Sequence, residues 1–329
     1  MPIVTYGNRR LDAGEPGDKT RLDAGESVFF LRQLELIDAM TYEVKYPDLK
    51  ARQLIPAIGG IPEAAHAYTY RQYDRVGIAK LIGNAADDLP MIEALGQEYT
   101  SQIKPIGDGY GYDVFEIQAA AMTGMPLDAT RARFARYAAE LEVDRIIATG
   151  KIQQANSTPT TVPGMLGLLN QTGTTPFTLG TKALGGTTWG TLAAPNASGD
   201  EVAADLMGIA ANLYTATQQL WGSFRILMNP AQYEYAAQKR LGSVSDTTAL
   251  AFAKSNSTHI ENVFPWWQIP SGTIAAFPYD PIVLGCIVNQ EYTVAAPQQR
   301  NLKYVVNGWT KTGGVVCRYP VALSIATGA

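Results

Sequence analysis

The sequence predicts a mixed α+β fold whose helices and strands are segregated rather than strictly alternating. Three observations carry that expectation. Helical periodicity gathers in two stretches, near residues 112–150 and 198–256. Runs rich in β-branched and aromatic residues concentrate before residue 107 and after residue 259. Between the two halves lies a Thr-, Gly-, Pro- and Asn-rich connector at 151–198, where a domain boundary falls naturally. A chain of 329 residues with 46% hydrophobic content is long enough for about two domains with sizeable cores, which excludes disorder of the whole chain.

Residues 1–26 are polar and Gly-rich and carry RLDAGE twice, at Arg10–Glu15 and Arg21–Glu26. Two copies are too few for a solenoid, and the segment buries too little to fold alone, so an extended arm is expected, held by neighbouring subunits. Ser27 caps a short amphipathic helix with Phe30, Leu34 and Ile37 on one face. TYEVKYP and LKARQLIPAI then read as strands, interrupted by Pro47 and Pro56. In 62–106, the alternating AYTYRQYDRV segment runs to the turn-like NAADDLP and returns through QEYTSQIKPIG. This is a long hairpin, either projecting or at the edge of a compact sheet.

Gly107-Asp-Gly-Tyr-Gly111 reads as a turn leading into a helix, since it lacks both the Lys-Ser/Thr of a phosphate loop and the third glycine of a dinucleotide fingerprint. Two helices follow, GYDVFEIQAAAMTG and LDATRARFARYAAELEVDRIIATG, the second capped by Asp128, ended by Gly150 and roughly 30 Å long. Ser198 and Glu201 form a capping box for a helix with Val202, Leu206, Ile209, Leu213 and Leu220 on one face. FRILM is a buried strand running into a helix with Asn229 as cap, Pro230 at the first position and Gly242 past the end. TALAFAKSN is a further helix after Asp246, and the remainder is a set of strands.

The charge pattern excludes several functions. Charged residues are only 17%, against roughly 25% in ordinary soluble domains, which points to large permanent interfaces. A net charge of −4 lacks the basic excess of a dedicated nucleic-acid reader. No membrane span or signal pattern is present in the sequence, so a soluble, intracellular protein is expected, and four Asn-X-Ser/Thr sites are ordinary loop residues. Cys286 and Cys317 sit in apolar runs and read as small core hydrophobes.

The search for chemistry comes back empty. His66 and His259 match no metal-ligand spacing. Asp87 and Asp88 sit beside Pro90 at a probable loop tip, where carboxylates are normally solvated. Glu140, Glu142 and Asp144 share a helix with Arg131, Arg133, Arg136 and Arg145, so ion pairs explain them. Of Trp266 and Trp267, one is expected in the core and one at an interface. No catalytic residue, cofactor site or metal site is assigned. An acid/base enzyme built on Asp87, Asp88 and Glu116 is the remaining catalytic reading, and it requires perturbed carboxylates in a pocket.

The strings LRQLELIDAMTYEVKYPDLKARQLIPAIGGIPEAA, TYRQYDRVGIAKLIGNAADDLP and IKPIGDGYGYDVFEIQAA, with LMNPAQYEYAAQKRLG and GGVVCRYPVALSIATG in support, resemble the major capsid proteins of tailed bacteriophages, the Hong Kong 97-type fold. The resemblance covers essentially the whole chain. It implies an N-terminal arm (1–28), a peripheral domain (29–63 and 107–170) carrying the long helix, and an extended loop hairpin (64–106). It further implies an axial domain (171–289) and C-terminal strands returning to the peripheral domain (290–329).

The resemblance implies a structural virion protein, not an enzyme. Copies of itself would form hexamers and pentamers of an icosahedral shell around double-stranded DNA touched only weakly, assembled in the host cytoplasm with no membrane. A portal and decoration proteins are other implied partners, and a separate scaffold, or none, is implied because some relatives fuse a scaffolding segment ahead of the capsid domain whereas here the arm begins near Met1. Some relatives cross-link through a Lys–Asn isopeptide bond. Lys80 and Lys104 match no such motif, so a non-covalent shell is expected. The alternative on the same fold is an encapsulin-like bacterial compartment enclosing cargo enzymes. Candidate assembly contacts are Arg10, Asp12, Arg21 and Asp23 in the arm, then Tyr70, Arg71, Tyr73, Asp74, Arg75, Lys80, Asp87 and Asp88 in the hairpin, and Arg133, Arg136 and Glu140 on the long helix. Contact of Arg9, Arg10, Lys19 and Arg21 with DNA is a lesser alternative for the arm.

Overall fold

The computed structural model describes residues 45–76, 93–123, 127–153, 157–242 and 245–329. The arm, the helix expected from Ser27, the hairpin tip and NAADDLP lie outside the described residues.

Strand β7 (Phe224–Met228) is a buried inner strand of a five-stranded sheet ordered β6 (Thr175–Pro176), β13 (Ser324–Thr327), β9 (Thr273–Phe277), β7, β8 (Ile260–Pro265). Successive side chains of a strand face opposite ways, and both directions here meet apolar groups. Phe224, Ile226 and Met228 join Ile274 and Ala276 on one face, whereas Leu227, Ala275 and Phe277 join a second cluster on the other. The first face is covered by helices α4 (Gly199–Ala216), α5 (Pro230–Gln238) and α6 (Ala249–Asn256). Each starts as its cap predicts. Ser198 Oγ accepts from the Glu201 amide while the Glu201 carboxylate accepts from the Ser198 amide. Asn229 caps α5 with Pro230 at its first position, and Thr248, two residues past Asp246, caps α6. Helix α5 ends at Gln238, so Gly242 falls in the turn beyond it. Strands β7 and β8 run parallel, with α5 and α6 as the crossover between them.

The second cluster joins this sheet to a four-stranded one centred on β12 (Lys303–Cys317), a strand of about 50 Å. Strand β3 (Lys104–Asp113) pairs with β12 on one side, and β10 (Leu284–Val294) and β11 (Gln298–Arg300) pair with it on the other. The helix α3 (Leu127–Thr149) packs along β3 and β12 and contributes Val143, Ile147 and Ala148 to the cluster. Gly150 ends it at φ +68°, as expected. A bulge near Gly314 (φ +71°) brings β12 against the connector, where a Cβ would lie 2.4 Å from the Leu166 carbonyl. The C-terminal strands thus divide between the sheets: β12 belongs to the four-stranded one and β13 to the five-stranded one.

Two segments depart from the sequence reading in kind and others in extent: α4 ends at Ala216, so Leu220 lies beyond it and is exposed, and Lys104–Ile106 belong to β3 rather than to the returning hairpin strand. Gly107–Gly111 is not a turn but the middle of β3, because ten consecutive residues pair with β12 and long-range pairing overrides local turn preference. The glycines permit a close approach: a Cβ at Gly109 would lie 2.9 Å from Asn307 Oδ1. LKARQLIPAI is not a strand. Ala51–Leu54 forms one helical turn, α1, whose Ala51 amide donates to the buried Asp144 carboxylate at 2.7 Å, and only Ala57 makes a bridge, to Cys286. Ala51 and Leu54 are thereby buried. Lys45–Pro47 of TYEVKYP form no strand. Helix α2 (Val114–Thr123) follows β3 directly.

Candidate assembly interface

The hairpin consists of β1 (Ala67–Val76) and β2 (Glu93–Gln102) in unbroken antiparallel register, from Ala67↔Gln102 to Val76↔Glu93. Among the described residues neither strand pairs with any other. Its base is tied to the body on one face. Tyr70 stacks on Tyr99 at 5.3 Å and donates its hydroxyl to the Cys317 carbonyl at 3.0 Å, and Ser101 Oγ donates to the Gly313 carbonyl. Arg318 donates to the Tyr68 hydroxyl and to the Pro281 carbonyl, joining hairpin and sheet edge to a loop of the body. Burial pushes the Tyr70 phenol up to about 12, so it remains a neutral donor. Below this clasp, Ile103, Ile287 and Val316 form a small core of their own. A cleft of about 410 Å3 opens between the hairpin and the body, lined by uncharged side chains including Tyr70, Tyr99, Leu166 and Val321.

Beyond the clasp the hairpin is exposed. Arg71 pairs across the strands with Glu98 at 2.6 Å, Tyr73 lies over Gly96, and Asp74 stands opposite Leu95. The backbone of Arg75 pairs with Ala94. Lys80, Asp87 and Asp88, together with Arg10, Asp12, Arg21 and Asp23, lie outside the described residues. On α3, Arg136 pairs with Glu140 at 2.8 Å, as intrahelical pairing predicts, and Arg133 is exposed on the same helix. The candidates the structure describes therefore fall into two groups, one on the hairpin and one on the long helix.

Asp87 and Asp88 lie outside the described residues, and the described carboxylates are engaged in pairs and caps. The Arg131 guanidinium grips both oxygens of Glu116 at 3.2 Å and holds its carboxyl below the usual range, the opposite of what a general acid needs. Asp144 is buried, and burial pushes its carboxyl up although the Ala51 amide and Trp266 Nε1 both donate to it. Asp108 is likewise raised by burial and accepts from the Tyr292 hydroxyl at 2.6 Å. Lys182 and Asp205 form a buried ion pair to which Trp189 Nε1 also donates, at 2.7 Å. All four arrangements tie elements together. Among the described residues no group of three or more His, Cys, Asp or Glu is placed to hold a metal, and no helix is long and apolar enough to cross a membrane. Both cysteines are free and buried, their thiols pushed up to about 11 (Cys286) and about 12 (Cys317) by burial. His66 is exposed, and His259 stacks on Tyr214 at 4.0 Å. Trp266 is wholly buried beside Asp144 and Trp267 is half-buried.

Sequence reasoning missed Arg318, Tyr68 and Asp144 as the groups that join hairpin, sheet and α1. Nothing in their local strings marks them, because each acts on a partner far along the chain.

A family model described as major capsid protein matches residues 77–328. The chain belongs to the major capsid protein family. Solved structures agree on the fold. The capsid of Myoviridae phage XM1 is 17% identical with a TM-score of 0.75, covering 92% of this chain and 99% of that one. The Mycobacterium phage Bobi structure is 11% identical with a TM-score of 0.60, covering 93% and 97%. The capsid of an empty GTA particle is 10% identical with a TM-score of 0.61, covering 90% and 95%. No curated protein matches the sequence. This capsid protein thus shares the mixed α+β fold of tailed-phage capsid subunits, consistent with the Hong Kong 97 type, and is a structural protein of a capsid.

Proposed function

We propose that copies of this capsid protein assemble as hexamers and pentamers into a closed, non-covalent icosahedral shell around double-stranded DNA. The observation that carries the proposal is the hairpin. A two-stranded sheet is marginal in water by itself, yet β1 and β2 continue well past the clasp with every described side chain from Ala94 to Thr100 exposed. Such an element is completed by contacts outside its own chain, and Arg71, Tyr73 and Asp74 are the residue types it presents there. On this reading the hairpin is the extended loop of 64–106, residues 29–63 and 107–170 with β12 make the peripheral domain, and 171–289 makes the axial domain. The arm of 1–28, Lys80, Asp87 and Asp88 are further contacts, and Arg133, Arg136 and Glu140 present a charged face of the long helix to a neighbour.

An acidic chain suits a container whose DNA must slide, because strong phosphate contacts multiply over an inner surface. Assembly in the host cytoplasm, a portal, and separate scaffolding or decoration proteins complete the proposal. The test is negative-stain electron microscopy of purified protein, with nuclease-protected DNA assayed on phage-derived particles. Closed polyhedra or capsomers with protected DNA are expected. A protein that stays monomeric at high concentration, with or without scaffold, overturns the shell reading. Shells that protect a cargo enzyme and no DNA favour the compartment alternative.

A further inference from the structure

The far end of the four-stranded sheet carries an apolar surface that the other described residues leave uncovered. Helix α2 reads VFEIQAAAMT, and Phe115, Ile117 and Met122 are 64%, 40% and 90% exposed. The patch extends in two directions. The Val114 amide donates to the Leu302 carbonyl at 3.0 Å, which sets Leu302, 60% exposed, at the start of the helix. Arg131 of α3 grips Glu116, and Phe134, one turn further along α3, is 45% exposed. At 3.6 residues per turn Phe115 and Met122 share one face of α2 and Ile117 lies on the other. Taken against full side-chain areas Phe115, Met122, Leu302 and Phe134 show roughly 500 Å2 of apolar surface, within the range of the largest patch on a lone soluble domain.

We propose that this surface is a contact between copies of the chain, centred on Met122 and Phe115. The proposal rests on the shell reading and adds to it a further contact region, distinct from the hairpin. A second copy fits the patch better than other occupants do. Two such faces together bury roughly 1,000 Å2, about the least that a biological interface clears. The copies are acidic and repel one another, so contact is favoured where charge is absent, and the one charge on the described side chains of α2, Glu116, is neutralised within the chain by Arg131. The helix is also pre-organised: Arg131 donates to the Gly111 carbonyl of β3 as well as to Glu116, locking α2 to sheet and long helix before any partner arrives.

Both native cysteines are buried, so Met122→Cys introduces a single exposed thiol, at a position open enough to tolerate the shorter side chain. In wild-type-like shells, maleimide labelling of Met122→Cys is expected to slow by about tenfold or more relative to unassembled subunits. Equal labelling in both states overturns the proposal, and so does protection that appears only when a scaffolding or decoration protein is added. Met122→Glu, which keeps a good helix former, is expected to leave far-UV dichroism and the melting temperature unchanged while raising the concentration needed for assembly about tenfold or more. Normal shells from Met122→Glu overturn the proposal with the shell reading intact, whereas a wild-type chain that forms no shell marks the failure of that reading itself.

Discussion

The five-stranded sheet and the hairpin are both built of paired strands, yet among the described residues one is covered on both faces and the other is exposed beyond its base. Strand β7 has apolar partners on both faces, and the loop before α4 sends Lys182 and Trp189 inward to meet Asp205. The hairpin has a partner strand, a clasp at its base and exposed residues beyond. Burial of apolar surface holds the first together at roughly 25 cal/mol per Å2. On the proposed shell reading, the second gains its burial from other chains. A shell subunit needs both properties: a body that keeps its shape before assembly, and projections that gain stability from assembly.

The comparison breaks most severely inside the body. Asp205→Ala leaves Lys182 buried without its counter-charge and Trp189 Nε1 without its acceptor, and the expected loss is about 3–5 kcal/mol of folding stability, read from urea unfolding of unassembled subunits. A loss below about 1 kcal/mol would mean that water reaches the pair, and that the body is less self-sufficient than its burial indicates.

A smaller effect with a definite sign comes from Asp144, which joins α1 to the long helix. Burial raises its carboxyl above the ordinary value in the folded chain. Its contribution is therefore fully present below the ordinary carboxylate range, and is lost as the pH rises through the raised folded value. Glu116 and Glu201 are lowered, so their contributions are present above the ordinary glutamate value and lost as the pH falls through the lowered ones. The stability difference between wild type and Asp144→Asn is expected to grow as the pH falls from neutral towards about 4, measured as urea midpoints. A difference that grows with rising pH instead would show the Ala51 and Trp266 donors outweighing burial.

The helices beside these groups were legible because their signals are local. Ser198 with Glu201, Asn229 with Pro230, and Gly150 each set an end within a few residues of itself. The two misread segments were settled from afar. LKARQLIPAI turns helical where the Asp144 carboxylate caps it, and GDGYG extends because β12 pairs along all of it. The hairpin pairing followed from alternation, but its standing as a separate sheet depended on what the rest of the chain leaves unpaired. The apolar run of α2 was read only as a helix, because a repeating apolar face does not say whether its cover comes from the same chain.

The clasp is the boundary between the two regions. Arg318→Ala removes the bonds to Tyr68 and Pro281 but leaves Tyr70 and Ser101 in place, so the global loss is expected to be about 1–2 kcal/mol. Hydrogen exchange should sharpen the contrast, with protection falling across β1 and β2 and unchanged in β7 and β9. Uniform loss of protection would mean that hairpin and body unfold as one unit.

The smallest effect on the isolated subunit belongs to the outer hairpin. Arg71 and Glu98 are an exposed cross-strand pair, worth roughly 0.2–1 kcal/mol, so Arg71→Glu should shift the melting temperature by only a few degrees. If the hairpin is completed by neighbouring copies, Arg71→Glu together with Arg75→Glu should nevertheless give folded subunits that fail to close shells under electron microscopy. Unchanged shells would remove both residues from the contact. The charge-swapped double variant Arg71→Glu, Glu98→Arg separates two origins of a failure. It restores attraction across the strands, so shells that reappear would assign Arg71 to holding the hairpin's own register. Shells that stay lost would mean that the Arg71 charge is read by another copy, leaving the hairpin incomplete until that copy is in place.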